Sequence, residues 1–369
     1  MAPQLAPAPG GGLWLSWLEP TATGHRLRAA RFDGSAWGTA STVAEGNDFF
    51  ANWADVPSVA EGEDGELVAQ WLAKLGDGTY AYGVHLARST DGGETWQPTG
   101  LLHPDDRSPT EHGFATLLAA PGSGFDAVWL DGRETADGGA MTLRHARVEA
   151  GRPTAAERLD DRVCDCCPTT AVRDAAGELV VAYRDRGDAE VRDLSTVRRA
   201  AGGGAWSEPA TVHADGWTIP GCPVNGPALA LPGGRTAIAW FTAENATPRV
   251  LAAFADDGGP SFGPPIPIDQ KAPLGRVGLA ALDGDAVVSW LSGDGVVRLR
   301  RVAADGGLGE VYEVARTSAA RAAGVPRVAV AGGRLFVAWV EVSGGDGDER
   351  PRAVRFAEVP AELLSRPGA

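Results

Sequence analysis

Leu67-Val-Ala-Gln-Trp71, entered through the turn Gly62-Glu-Asp-Gly65, is the stretch that decides the fold. A short apolar run that follows a Gly/Asp turn and ends on an aromatic ring reads as a buried strand. The same pattern recurs as LWLSW ending at Trp17, FDAVW at Trp129, LVVAY at Tyr183, TAIAW at Trp240, AVVSW at Trp290 and LFVAW at Trp339. Copies about 50 to 58 residues apart match the period of four-stranded propeller blades, whose apolar faces are covered only by stacking on their neighbours. The expected fold is therefore all-β: a seven-bladed β-propeller of four-stranded antiparallel blades, forming one domain over residues 1–369, with six blades as the alternative count.

Working outward from each copy, a first strand precedes it, as in VPSVAEG from Val56, GFATLLA from Gly113, TTAVRDA from Thr169 and RVGLAAL from Arg276. A third strand follows, such as YGVHLARS from Tyr82 or VLAAFAD from Val250, and usually a weaker fourth. The last repeat is short of a fourth strand, so ring closure is not legible. Composition agrees: Gly 50 and Pro 26 supply many tight turns, and helical periodicity is nearly absent.

A formal charge of -15 leaves no basic stripe to neutralise phosphates, which excludes nucleic acid as the expected partner. No apolar run reaches the roughly 18 residues of a membrane span, so no membrane insertion is expected. Met1 to Gly12 lacks the charged start and apolar stretch of a signal peptide. The expected partner is a small-molecule or metal ligand, and no protein partner can be read.

Ser89-Thr-Asp-Gly-Gly-Glu-Thr-Trp96 matches S-x-D-x-G-x-T-W at every fixed position. Ala255 to Phe262 is a degenerate copy and Asp33 to Trp37 a remnant. Ser89, Asp91, Gly93, Thr95 and Trp96 are expected to act structurally: the carboxylate accepts backbone N–H bonds, the glycines permit positive φ, and the indole plugs between sheets.

With this box and the repeats, the full chain resembles bacterial sialidase-like (BNR/Asp-box repeat) propellers. Phe50 to Asp55, Thr110 to Phe114, Val128 to Arg133, Cys164-Asp-Cys-Cys167, Tyr183 to Arg186 and Gly221 to Gly226 resemble one subfamily with a Cys-Asp-Cys-Cys motif. The resemblance implies a sialidase-like fold and commonly export, so a periplasmic or secreted location is expected. True sialidases use three arginines for the substrate carboxylate, a Tyr paired with a Glu as nucleophile and an Asp as acid/base. The Arg-Ile-Pro signature of their first arginine is missing here, and no match assigns the triad residue by residue.

In a propeller, the loop entering each first strand and the loop leaving each second strand open on one face. Counting back 16 to 19 residues from each aromatic samples that entrance: Trp53 and Asp55, then Glu111 and His112, then Cys164, Asp165, Cys166 and Cys167, then Cys222. All four cysteines fall at one height. One reading is a disulfide staple from Cys222 to Cys166 or Cys167. Another is a metal ion, copper or zinc, held by Cys164, Cys166, Cys167, Cys222, His112 and Glu111, with a redox or metal-handling role. Buried thiols without either role are the third.

Against the metal, Cys-x-Cys-Cys is not a zinc-finger spacing. In its favour, a staple does not need Glu111 and His112 at the same height. A second polar ring leaves the second strands at Lys74, Asp131, Arg133, Arg184, Asp185, Arg186 and Glu244. Read plainly it is a solvated rim of ion pairs. As a functional ring, Asp131, Arg133, Arg184 and Arg186, with Trp53, Asn225 and Arg276, would orient ligands or bind substrate. The carboxylates Asp55, Glu111, Asp165 and Asp185 are candidates for a glycosidase acid and nucleophile. The other histidines, His25, His85, His103, His145 and His213, fall outside the entrance register and are expected in strands or surface loops.

Overall fold

The computed structural model describes residues 3–255, 259–343 and 352–366. Each repeat forms one antiparallel sheet, seven in all, and the fold class is a seven-bladed β-propeller. The chain divides into two compact units, Met1–Asp165 and Cys166–Ala369, taken in turn below.

The first unit holds three sheets. The first is built from Gln4–Ala8, Gly12–Pro20, His25–Phe32 and Ser41–Gly46, and the second from Ser58–Glu61, Leu67–Lys74, Tyr82–Ser89 and Gln97–Leu101. In the third, His112–Ala119, Phe125–Asp131 and Thr142–Glu149 run in order, with the short strands Arg152–Pro153 and Glu157–Asp160 both on Thr142–Glu149. The second strands are buried on both faces, which is why they read as continuous apolar runs rather than alternating ones. Phe125–Asp131 is buried throughout. Between the first two sheets Trp14, Leu67, Trp71 and Phe49 share one core, and between the next two Val68, Tyr82, Phe125 and Trp129 share another.

The second unit holds four sheets, centred on Leu179–Arg184, Ala237–Thr242, Asp285–Ser292 and Arg334–Val342. Among the described residues the last has three strands, ending with Arg352–Val359. Trp240 packs with Ile238, Leu251 and Val180, and Trp290 with Phe254, Val288 and Leu279.

The repeating aromatics bury an indole whose N–H still needs an acceptor, and an acidic residue supplies it. Trp129 donates to Asp131 at 2.9 Å, Trp240 to Asp215 at 2.7 Å and Trp290 to Asp269 at 2.7 Å. Trp17 and Trp339, in the first and last sheets, are only half-buried, unlike the five between them.

The Ser89–Trp96 turn is built as its chemistry requires. Ser89 Oγ donates to Asp91 and accepts from Gly93 N, and Asp91 accepts from Thr95 N at 3.0 Å and from its hydroxyl. Gly93 sits at φ 86, and a Cβ there would lie 2.7 Å from the Trp14 ring. Trp96 Nε1 donates to Ser41 Oγ. The Asp33 remnant caps its own turn in the same way, through Ser35 N and Ala36 N. Of the degenerate copy at 255–262, positions 256–258 lie outside the described residues. The helices are three-residue 3-10 turns, and none described is long and apolar enough to cross a membrane.

Candidate active site

Within residues 1–165, the strand Tyr82–Ser89 and the strand His112–Ala119 meet at their starts. Tyr82 and Glu111 form a parallel bridge, with Tyr82 N donating to Thr110 O at 3.2 Å. This brings the phenol to the carboxyl: Tyr82 Oη donates to Glu111 Oε1 at 2.5 Å. The main chain of Glu111 is fixed from the other side, where Gly132 N donates to its carbonyl. A Cβ at position 132 would stand 2.6 Å from that oxygen, so only glycine allows the approach.

Tyr82 is 1 % exposed and stacks on Phe50, with ring centroids 4.1 Å apart. Burial, then the charges of Asp55 and Glu111, push the phenol far above its ordinary range, so it stays a neutral donor. Glu111 itself is half-buried. Burial raises its carboxyl to about 7, against the lowering effect of the Tyr82 hydrogen bond, and the nearby Asp165 carboxylate raises it further. A carboxyl half protonated near neutrality, and reachable from solvent, suits proton transfer.

Asp55 is 3 % exposed and accepts from Phe114 N at 2.6 Å. That contact depends on a β-bulge. Between Val128↔Thr116 and Leu130↔Gly113 the first strand carries one extra residue, and Phe114 takes φ 51. Gly113 makes room for the carboxylate, since a Cβ there would lie 2.2 Å from Asp55 Oδ2.

Behind Glu111, His112 is fully buried between two carboxylates, with Nε2 3.2 Å from Asp106 and Nδ1 3.4 Å from Asp131. The Nδ1 contact lacks hydrogen-bond geometry, while Nε2 is also 3.1 Å from Thr110 Oγ1. Asp106, His112 and Asp131 offer atoms within 4.8 Å of one another. The carboxylates nevertheless grip opposite ring nitrogens, which does not present one metal with three converging ligands. Burial alone would raise the Asp131 carboxyl, but His112 and the Arg133 guanidinium overcome it and hold it well below the usual range. Arg133 also pairs with Asp105 at 2.6 Å.

His103, expected in a strand or surface loop, is instead a fully buried loop residue stacked on His112 at 3.9 Å. It accepts from Val84 N and pairs through Nδ1 with Asp106 O. Burial, then the charge on His112, lowers its pKa to about 4. Sequence reasoning missed Tyr82, His103 and Asp106. Tyr82 stood only at a strand start, and the other two lie in a loop whose path no periodicity fixes.

In residues 166–369 the candidates have other duties. Arg184, offered as a substrate or ligand-orienting group, is 1 % exposed and donates to the carbonyls of Asn225, Phe241 and Arg192. Its guanidinium ties the surrounding backbone together. Asn225 accepts from Arg276 N and donates to Leu274 O, so its amide pins the next sheet. Arg276 donates to Ala320 O and Gly324 O. Asp185 accepts from Arg186 N and Ser195 Oγ, and Arg186 pairs with Glu190 at 3.0 Å. In the first unit, Trp53 is half-buried.

Cys164, Cys166 and Cys167 fall within one tetrapeptide, are buried, and have sulfurs within 4.8 Å of one another. Cys222 is exposed and stands outside that grouping.

No family model and no curated protein matches the sequence. Solved structures do match. Polysaccharide lyase Uly1 aligns with a TM-score of 0.58 at 12 % identity, over 97 % of this chain and 88 % of that one. The Hadza microbial sialidase Hz136 aligns at 0.52 and 13 % identity, over 94 % and 75 %. A puromycin hydrolase S511A mutant complexed with PGG aligns at 0.55 and 14 % identity, over 100 % and 54 %. Likeness at this identity carries the fold, and the chemistry has to be argued from the site.

Proposed function

We propose that the protein is a glycan-active enzyme, a glycoside hydrolase on a sialidase-like propeller, with Glu111 as its acid. The observation that carries this reading is the half-buried Glu111 carboxyl, raised to about 7 and oriented by Tyr82. Tyr82 occupies Oε1 and leaves Oε2 to hold the proton. Glu111 gives that proton to the leaving glycosidic oxygen as the C–O bond breaks, and water adds at the anomeric carbon, losing its proton to a second carboxylate. Asp165, whose charge acts on Glu111, is assigned that role, and Asp55 orients the Phe114 backbone. Two of the three named structural neighbours, a polysaccharide lyase and a sialidase, act on glycans, which supports the substrate class and a periplasmic or secreted setting.

The test is release of reducing sugar from a panel of oligosaccharides. Wild type is expected to release it, and Glu111→Gln, correctly folded, to lose at least about 100-fold in rate. An unsaturated, ultraviolet-absorbing product would make the reaction an elimination and overturn the hydrolytic assignment.

A second reading rests on the three neighbouring sulfurs: Cys164, Cys166 and Cys167 hold one copper or zinc ion. Thiolates about 2.3 Å from a shared ion stand about 4 Å apart, which the 4.8 Å grouping accommodates. Protein purified without chelator should then carry about one metal, lost in Cys166→Ser. Metal-free protein with no titratable thiol would instead establish disulfides.

A further inference from the structure

In residues 166–369, an open cleft of about 510 Å³ lies between two loops. One loop joins Ala210–His213 to Ala228–Ala230 and contributes Trp217, Thr218 and Ile219. The other is the turn leaving Ala237–Thr242 and contributes Ala243, Glu244 and Asn245. None of these residues belongs to the Glu111 site.

Both walls are held by hydrogen bonds. The Asp193 carboxylate accepts from Gly216 N and Trp217 N, and Trp217 O accepts from Arg192 N. The indole is clamped between the Arg184 guanidinium, 5.0 Å from the ring centroid, and the edge of Phe241. In the opposing turn, Asn245 and Ala246 take φ 51 and 57, consecutive left-handed residues without a glycine. The turn is closed by Ala246 N to Ala243 O and Thr247 N to Glu244 O. For Ala246 this region carries a steric cost, whereas asparagine tolerates it.

The lining is half apolar and half polar. Ile219 and Ala243, both half-buried, offer carbon surface and Trp217, 6 % exposed, adds only an edge, while Glu244, Asn245 and Thr218 offer a carboxylate, an amide and a hydroxyl. A pyranose has the same division, an apolar C–H face and a rim of hydroxyls, and the volume lies within the range of small-ligand clefts. Glu244 is 3.4 Å from Arg249, so the pair favours neither an anionic nor a cationic ring.

We propose that the cleft between the Gly216–Ile219 loop and the Glu244–Ala246 turn is a binding subsite for a neutral sugar unit of a glycan. The identity of the ligand class rests on the glycan reading above, but the cleft is tested independently of it. Glu111→Gln protein, slowed for any substrate turned over through Glu111, is titrated with cellotriose, a glucosamine trimer and a galacturonate trimer, with binding followed by calorimetry and ligand NMR.

Cellotriose is expected to bind in preference to the charged trimers. Glu244→Ala is expected to weaken it at least about 10-fold, the loss of a charged hydrogen-bond partner. Ala246→Gly, which relieves the strained turn, should weaken it without lowering the melting temperature. If cellotriose binding survives both substitutions, or no trimer binds, the subsite is wrong. Turnover by wild type with KM unchanged in Glu244→Ala would overturn the cleft and leave Glu111 standing. Binding lost in Glu244→Ala, with no turnover by wild type, would do the reverse.

Discussion

Glu111 carries a cost that its chemistry explains. Its carboxyl ionises at about 7 in the folded protein against 4.5 ordinarily, because burial disfavours the charge. The folded state therefore binds a proton more tightly than the unfolded one. Stability is unpenalised below about pH 4.5 and falls as pH rises through about 7, where the buried group is forced to ionise. Glu111→Gln removes that ionisation. Its melting temperature should exceed that of wild type above about pH 7, with the gap closing toward pH 4.5. Thermal melts across that range check this, and a Glu111→Gln protein less stable than wild type at every pH would show that Glu111 is a scaffold residue.

At the scale of single elements, the second strands are the most completely buried, and their aromatics differ in value. Trp240 is 1 % exposed and holds the Asp215 carboxylate, so Trp240→Ala opens a large cavity and orphans a buried acceptor. Roughly 3 to 5 kcal/mol of destabilisation is expected by chemical denaturation. Trp17→Ala, at a half-buried position, should cost clearly less. These strands were legible because their residues repeat: an apolar run ending in an aromatic survives seven times despite little else in common. First strands were placed less well. The stretch from Asn225 yields only Ala228–Ala230, because Asn225 is drawn into pinning Arg276 rather than into strand pairing.

Across the whole molecule, the site was legible where it depends on register and illegible where it depends on loops. Counting back from Trp71 and Trp129 reached Asp55 and Glu111, because hairpins of similar length put equivalent residues at one height. Nothing in that count points to Tyr82, which enters through a bridge between neighbouring sheets, or to His103 and Asp106, which a loop folds under His112. Arg184 reads as a ligand-orienting or substrate cation in the sequence, and the bonds from its buried guanidinium to backbone carbonyls appear only in the folded chain. Glu111 as a proton donor tuned by Tyr82 has a direct kinetic signature. The pH dependence of kcat/KM for wild type and Tyr82→Phe tests it most directly. Wild-type activity should fall as pH rises through about 7, as Glu111 loses its proton. Since the Tyr82 hydrogen bond lowers the Glu111 pKa, Tyr82→Phe should move that limb to higher pH. A limb that stays in place, or moves to lower pH, would contradict the account.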